Sequence, residues 1–273
     1  MLTCYFLNSL ETGRTGNEVS EIEGRAEKEE VPFEDIRIVL VRPQGPMNIG
    51  SVARAMKNMG FRELALVDPA TPLLHPDALL MAVWAHDVLE HTLIFSHLAD
   101  AIADCTWVVG TTRRTGKGRE GIIDPRQLGA EIAEIAQQNK VAVVFGPEDR
   151  GLSNRDIDLC QCLVTIPAQE EYGSLNLAQA VMIICYEIYM AFHRKGVVSR
   201  TPRLATSEDL EGMYRHMEEA LLRIGFLEQT SPKRMMAVLR KIFGKARLNS
   251  REVRVLRGIC RQANWYAEKH LNK

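Results

Sequence analysis

No stretch of this 273-residue chain is apolar for the roughly 18 residues that a membrane-spanning helix needs. The first residues lack a basic start followed by an apolar core, so no secretory leader is expected. The six cysteines (Cys4, Cys105, Cys160, Cys162, Cys185 and Cys260) are scattered. Only Cys160 and Cys162 are close, and no histidine pair completes a zinc pattern. They read as two small hydrophobic residues on a strand, and no metal site is expected. No Gly-x-Gly-x-x-Gly turn follows the first strand, and no acid–base histidine stands out, which weighs against a nicotinamide-dependent oxidoreductase. These absences leave a cytoplasmic globular protein with no membrane partner.

Net charge is also nearly absent, at −1, but the balance conceals an asymmetry. Residues 1–35 are acidic, with Glu18, Glu21, Glu23, Glu27, Glu29, Glu30 and Glu34, and show no steady apolar period. They read as a disordered tail. Near the other end stand Lys233, Arg234, Arg240, Lys241, Lys245, Arg247, Arg251, Arg254, Arg257 and Arg261, with Glu252 the only acid among them. Positive charge gathered in this way suits a phosphate backbone. Few aromatics are interleaved (Phe243, Trp265 and Tyr266), so backbone or shape recognition is expected over base stacking.

Between these ends, apolar runs alternate with amphipathic stretches. Strands are expected at Ile36–Val41, Leu64–Val67, near Leu93, and at Trp107–Gly110, Val141–Phe145 and Leu163–Ile166. Helices are expected at Ile49–Met59 with Asn48 as N-cap and Gly60 as C′, within Pro72–Asp87, and at Phe95–Ala103, Pro125–Gln138 and Asn176–Phe192. In the first of these Val52, Met56 and Met59 face inward. The alternation predicts an α/β fold with a parallel sheet covered on both faces. Residues 36–196 form that domain, 197–206 a linker, and 207–273 a small basic helical domain. Its helices start at Thr206, at Ser231-Pro232, and at Asn249 or Ser250.

Three motifs stand in order. Asn48-Ile49-Gly50-Ser51-Val52-Ala53-Arg54 supplies an Asn-x-Gly-x-x-x-Arg helix; GPEDRGLS begins at Gly146; SLNLAQA begins at Ser174. Together they resemble the SpoU (TrmH-like) branch of the SPOUT RNA methyltransferases. The run from ATSEDLEG through RGIC is similar to the C-terminal extension of the TrmJ-type tRNA methyltransferases, which extends the resemblance over Ile36–Cys260.

The resemblance implies a C-terminal trefoil knot, S-adenosylmethionine as cofactor, and a homodimer joined through the knot helices, each active site completed by the partner. It implies cofactor-binding loops at Thr111, Thr112 and Arg113, at Gly146, and at Ile166 with Gly173, Ser174 and Leu175. Each loop follows an expected strand and offers backbone donors and acceptors. The catalytic set carried over is Asn48, Arg54, Arg114, Glu148, Ser174 and Asn176, with Lys117 beside Arg114 as a phosphate contact. Glu148 orders the active-site loops, through Arg54 or a neighbouring amide. The family role of the arginine is to help deprotonate a ribose 2′-hydroxyl. A guanidinium stays protonated at neutral pH, so orienting an RNA phosphate and stabilising the developing alkoxide suit it better, a substrate phosphate accepting the proton.

The expected activity is therefore 2′-O-ribose methylation of RNA, with tRNA at anticodon-loop nucleotide 32 favoured by the extension. Ribosomal RNA methylation, or a non-catalytic RNA-binding protein of the same fold, are the alternatives.

Overall fold

The computed structural model describes residues 33–113, 122–169, 175–194 and 202–270. Six strands form one sheet, β1 (Ile36–Val41), β2 (Glu63–Val67), β3 (Leu93–Phe95), β4 (Trp107–Thr111), β5 (Val141–Phe145) and β6 (Cys162–Val164), in the order β3-β2-β1-β5-β4-β6. Every adjacent pair is parallel. Every residue of β1 and β5 is buried, which is why β5 is a continuous apolar run and β1 is apolar except for the ion-paired Arg37, neither showing period-2 alternation.

The sheet domain carries α1 (Pro46–Asn58), α2 (Pro76–Ala82), α3 (His86–Glu90), α4 (Leu98–Ala101), α5 (Pro125–Ile135), α6 (Asn154–Asp158) and α7 (Leu177–Arg194). Several expectations need correcting. The α1 N-cap is Gly45 with Pro46 in the first turn, so Asn48 lies inside the helix. Proline starts a helix without wasting an N–H, and this frees the Asn48 side chain for another task. Pro72–Asp87 is split into α2 and α3 by Val83, whose φ is 54°. Met59 is only half-buried, being the C-cap, with Gly60 at φ 80° just beyond it. Strand β6 ends at Val164, short of Ile166, and Cys160 follows α6 and lies outside the strand.

Gly50 has a packing reason. A Cβ there would lie 2.0 Å from the Ala78 carbonyl oxygen, so the glycine lets α1 and α2 touch backbone to backbone. Gly129 does the same for α5 against α7, where a Cβ would meet Glu187 O at 2.5 Å.

The segment between β4 and α5 is tied to β6 at both ends. Thr112 N donates to Val164 O (2.9 Å), Ile123 N to Leu163 O (3.0 Å), and Thr165 N to Ile123 O (3.0 Å). Strand β6 thus lies between β4 on one side and Ile123 on the other.

Three further helices, α8 (Ser207–Arg223), α9 (Pro232–Ala246) and α10 (Ser250–His270), share a core of Leu210, Met213, Tyr214, Met236 and Val253. Thr206 caps α8, and Asn249 caps α10 by accepting from Arg251 N and Glu252 N. Contacts with the sheet domain include Ser207 N to Cys105 O (2.7 Å), the Asn139 side chain to Pro202 and Leu204, Arg247 to Glu131 and over the Trp107 ring, and Arg240 to the Asp158 carbonyl.

Candidate active site

In an open parallel sheet the carboxyl ends of the strands leave backbone groups uncovered, and ligands bind there where the strand order reverses. Here the order reverses between β1 and β5. One cleft opens beside that point. It is walled by Thr111, Thr112 and Arg113 after β4, by Phe145 to Leu152 after β5, by Val164 and Ile166 after β6, and by Leu175, Leu177 and Ala180 at the start of α7. Its volume is about 990 Å³ including the open mouth, at the upper end of the roughly 300–1,000 Å³ of small-molecule sites. Gly146 is obligatory in its wall: a Cβ would stand 2.2 Å from Leu152 N, so only glycine lets the turn fold back this tightly.

Glu148 stands at the cleft and reaches across to the β1–α1 turn. Its carboxylate accepts from Gln44 N (3.0 Å), Gly45 N (3.3 Å) and Asn48 Nδ2 (2.8 Å). The charge therefore sits at the N-terminus of α1, where the helix dipole favours an anion. Asn48 Oδ1 in turn accepts from Asn176 Nδ2 at 2.9 Å. Asn176 caps α7 by accepting from Ala178 N (2.9 Å), while Gln179 Oε1 accepts from Asn176 N (3.2 Å). One chain of hydrogen bonds, Glu148–Asn48–Asn176, thus joins all three sequence motifs. A second tie runs beneath it, from the Arg42 guanidinium to Asp156 (2.5 Å), which also closes the Ser153 capping box of α6.

Of the expected cofactor-binding residues, Thr111, Thr112, Arg113, Gly146, Ile166 and Leu175 line this one cleft. Gly173 and Ser174 lie outside the described residues, as do Arg114 and Lys117. Glu148 finds its partner in the neighbouring amide of Asn48. Arg54 is exposed on α1, has no ion pair or hydrogen bond among the described residues, and does not line the cleft of its own chain. It follows Asn48 by six residues, about 9 Å along the helix. Sequence reasoning missed Leu152, Leu177 and Ala180 as cleft walls, although each belongs to or adjoins a motif, and missed the Arg42–Asp156 pair, whose members are 114 residues apart.

Sheet, cleft and motif order define a methyltransferase domain of the SpoU type. The SpoU rRNA Methylase family model matches residues 35–186, and a model of the tRNA methyltransferase TrmJ C-terminal domain matches 208–272. The chain belongs to the SpoU methylase family. It is 38% identical over 236 residues to the tRNA (cytidine/uridine/adenosine-2′-O-)-methyltransferase TrmJ of Pseudomonas aeruginosa, covering 82% of this chain and 91% of that one. It is 41% identical over 234 residues to the tRNA (cytidine/uridine-2′-O-)-methyltransferase TrmJ of Escherichia coli K12, covering 83% and 94%. Among solved structures, TrmJ from Z. mobilis ZM4 superposes with a TM-score of 0.73 at 36% identity, over 84% of this chain and 98% of that one.

Proposed function

We propose that this protein transfers the methyl group of S-adenosylmethionine to a ribose 2′-hydroxyl of tRNA, at nucleotide 32 of the anticodon loop. The observation that carries the reading is the Glu148–Asn48–Asn176 bridge, which locks the three motifs around one cleft. The cleft suits this cofactor. Leu152, Ile166, Leu175 and Ala180 give apolar walls for an adenine ring, backbone at Thr112 and Gly146 offers polar groups for its edge, and Glu148 and Asp149 place negative charge where a sulfonium and an ammonium are favoured. When bound, the cofactor supplies an electrophilic methyl group for in-line attack by an oxygen.

The protein's own task is then alignment and charge stabilisation. Glu148 holds the β1–α1 turn against the β5 turn, and Asn176 fixes the start of α7 to the same turn. Arg54 holds an RNA phosphate and stabilises the alkoxide as the hydroxyl proton leaves to a phosphate oxygen or solvent. Arg114 and Ser174 keep the roles that the resemblance gives them. Because Arg54 stands outside its own cleft, a homodimer through α1 and α7 is part of the proposal: it delivers Arg54 to the partner's cleft. Exposed Met47 and Tyr186 on those helices support such a contact. The trefoil knot is proposed on the placing of β6 between β4 and Ile123.

The C-terminal helices grip the RNA backbone. Ten cations are not all available for this, since Arg240 is held by Glu211 and Tyr214, and Arg247 by Glu131 and Trp107. Arg254, Arg257 and Arg261 are exposed along α10 and form no ion pair among the described residues. A cytoplasmic site of action follows from the substrate, and among the described residues no helix is long and apolar enough to cross a membrane. Methyl incorporation into purified tRNA and rRNA, followed by mass-spectrometric mapping, tests the reading; methylation confined to rRNA would contradict the substrate.

A further inference from the structure

Trp84 is the most exposed large apolar side chain of the described residues, at 88%, and Leu80 beside it is 74% exposed. Its backbone, by contrast, is held on several sides. Lys57 Nζ donates to Trp84 O at 2.7 Å and to Asp87 Oδ1 at 2.7 Å. His86 Nε2 is bonded to Leu79 O at 2.9 Å across the same bend. Val83, immediately before the indole, has φ 54°, a left-handed conformation that a β-branched residue keeps only under constraint from its surroundings. The ring itself makes no hydrogen bond or ring contact among the described residues. A strained, pinned loop therefore holds an indole out into solvent.

Arg54 lies one turn before Lys57 on α1, at the i, i+3 spacing that brings side chains within about 5–6 Å at Cβ. The Lys57 charge is engaged by Asp87, so Arg54 is the unpaired cation of the two. With a cation waiting for a phosphate one helical turn from the lysine that holds the Trp84 carbonyl, the flat exposed aromatic is a surface on which a nucleobase stacks. An apolar protein face would cover the indole and leave Arg54 unsatisfied.

We propose that Trp84 is a positioning residue that stacks an RNA base flanking the methylated nucleotide, so that the ribose–phosphate held by Arg54 enters the cleft in register. This rests on the RNA methylation reading and adds to it the surface that receives the neighbouring base. It also explains the strain at Val83, since relaxing that residue would let the indole fall back onto α2.

The test compares wild type, Trp84→Ala and Trp84→Phe with full-length tRNA. Removing one stacking platform weakens binding by about 5–150-fold, so the alanine variant is expected to raise KM for tRNA within that range with a smaller change in kcat. Affinity for S-adenosylmethionine and sedimentation mass should stay unchanged. Phenylalanine should restore most of the KM. Quenching of tryptophan emission by tRNA, strong in the wild type, should fall in both variants, because Trp107 and Trp265 remain but do not face this base. A wild-type KM in the alanine variant, or a change in its sedimentation mass, overturns the proposal; the latter means that a second copy of the chain covers the patch. Failure of the wild type itself to methylate tRNA contradicts the parent reading instead.

Discussion

The Asn48 amide and the Glu148 carboxylate meet at 2.8 Å although 100 residues separate them in the chain. The carboxylate also accepts two backbone N–H groups from the same turn, so all three of its described partners are donors. This decides what glutamine can do in its place. An amide has one acceptor oxygen and would turn an NH₂ toward at least one of those donors. Glu148→Gln should therefore lose nearly as much methyl transfer as Glu148→Ala, at least about tenfold, a donor left facing a donor costing about 1–3 kcal/mol. Steady-state methylation assays check this; near-wild-type turnover in the glutamine variant would show that the carboxylate is not the organiser.

Asn176 has two tasks that one substitution separates. Aspartate in place of Asn176 would still cap α7, because it is an equally good N-cap. It would lose the Nδ2–H donated to Asn48. Asn176→Asp should thus melt within a few degrees of wild type while kcat falls, whereas Asn176→Ala should lose stability as well, about 1 kcal/mol. Thermal melts beside kinetics distinguish the two losses.

These two residues also show what could be read in advance. Buried parallel strands announce themselves as apolar runs without period-2 alternation, so β1 and β5 were legible to the residue, β1 despite Arg37 within it, and so were the Thr206 cap and the glycine at the end of α1. The cleft was legible because its walls follow strand ends. What could not be read was pairing across the chain. Asn48 looks like a helix cap from local sequence, and only the approach of Glu148 and Pro46 in the first turn make it a bridge. Gly50 reads as a motif letter until α2 is seen against it at 2.0 Å from a would-be Cβ. Val83 gives no local signal for a left-handed backbone.

At the opposite edge of the sheet, Arg37 is buried to 4% exposure between Glu63 and Asp104 (both 2.6 Å), with Lys140 on the same two carboxylates. Burial works to raise the Asp104 carboxyl, but hydrogen bonds from Arg37 and Lys140 outweigh it and hold the group at about 2. A depressed acid contributes stability above its unfolded value, about 3.9, and loses that contribution as pH falls toward 2. Arg37→Met should cost about 3–5 kcal/mol at neutral pH, or roughly 6–20 °C in Tm. The gap between variant and wild type should narrow as pH drops from about 4 to 2. A gap independent of pH would contradict this account.

On the C-terminal helices, charge and structure should separate by residue. Replacing Arg254, Arg257 and Arg261 together by alanine should weaken tRNA binding and reduce the magnitude of its log–log salt slope by up to about three, one for each phosphate no longer neutralised, with Tm unchanged. Arg240→Ala should lower Tm instead, because its guanidinium is committed to Glu211, Tyr214 and the Asp158 carbonyl. Filter binding across a salt series reads the first effect and calorimetry the second.

The central claim is that Arg54 acts on RNA while the cleft walls hold the methyl donor. Isothermal titration of S-adenosylmethionine into Arg54→Ala, beside a methyl-transfer assay on tRNA, tests it most directly. The predicted result is cofactor affinity close to wild type with turnover down by about 10²–10³-fold or more. Loss of cofactor binding, or turnover that survives the substitution, would contradict it.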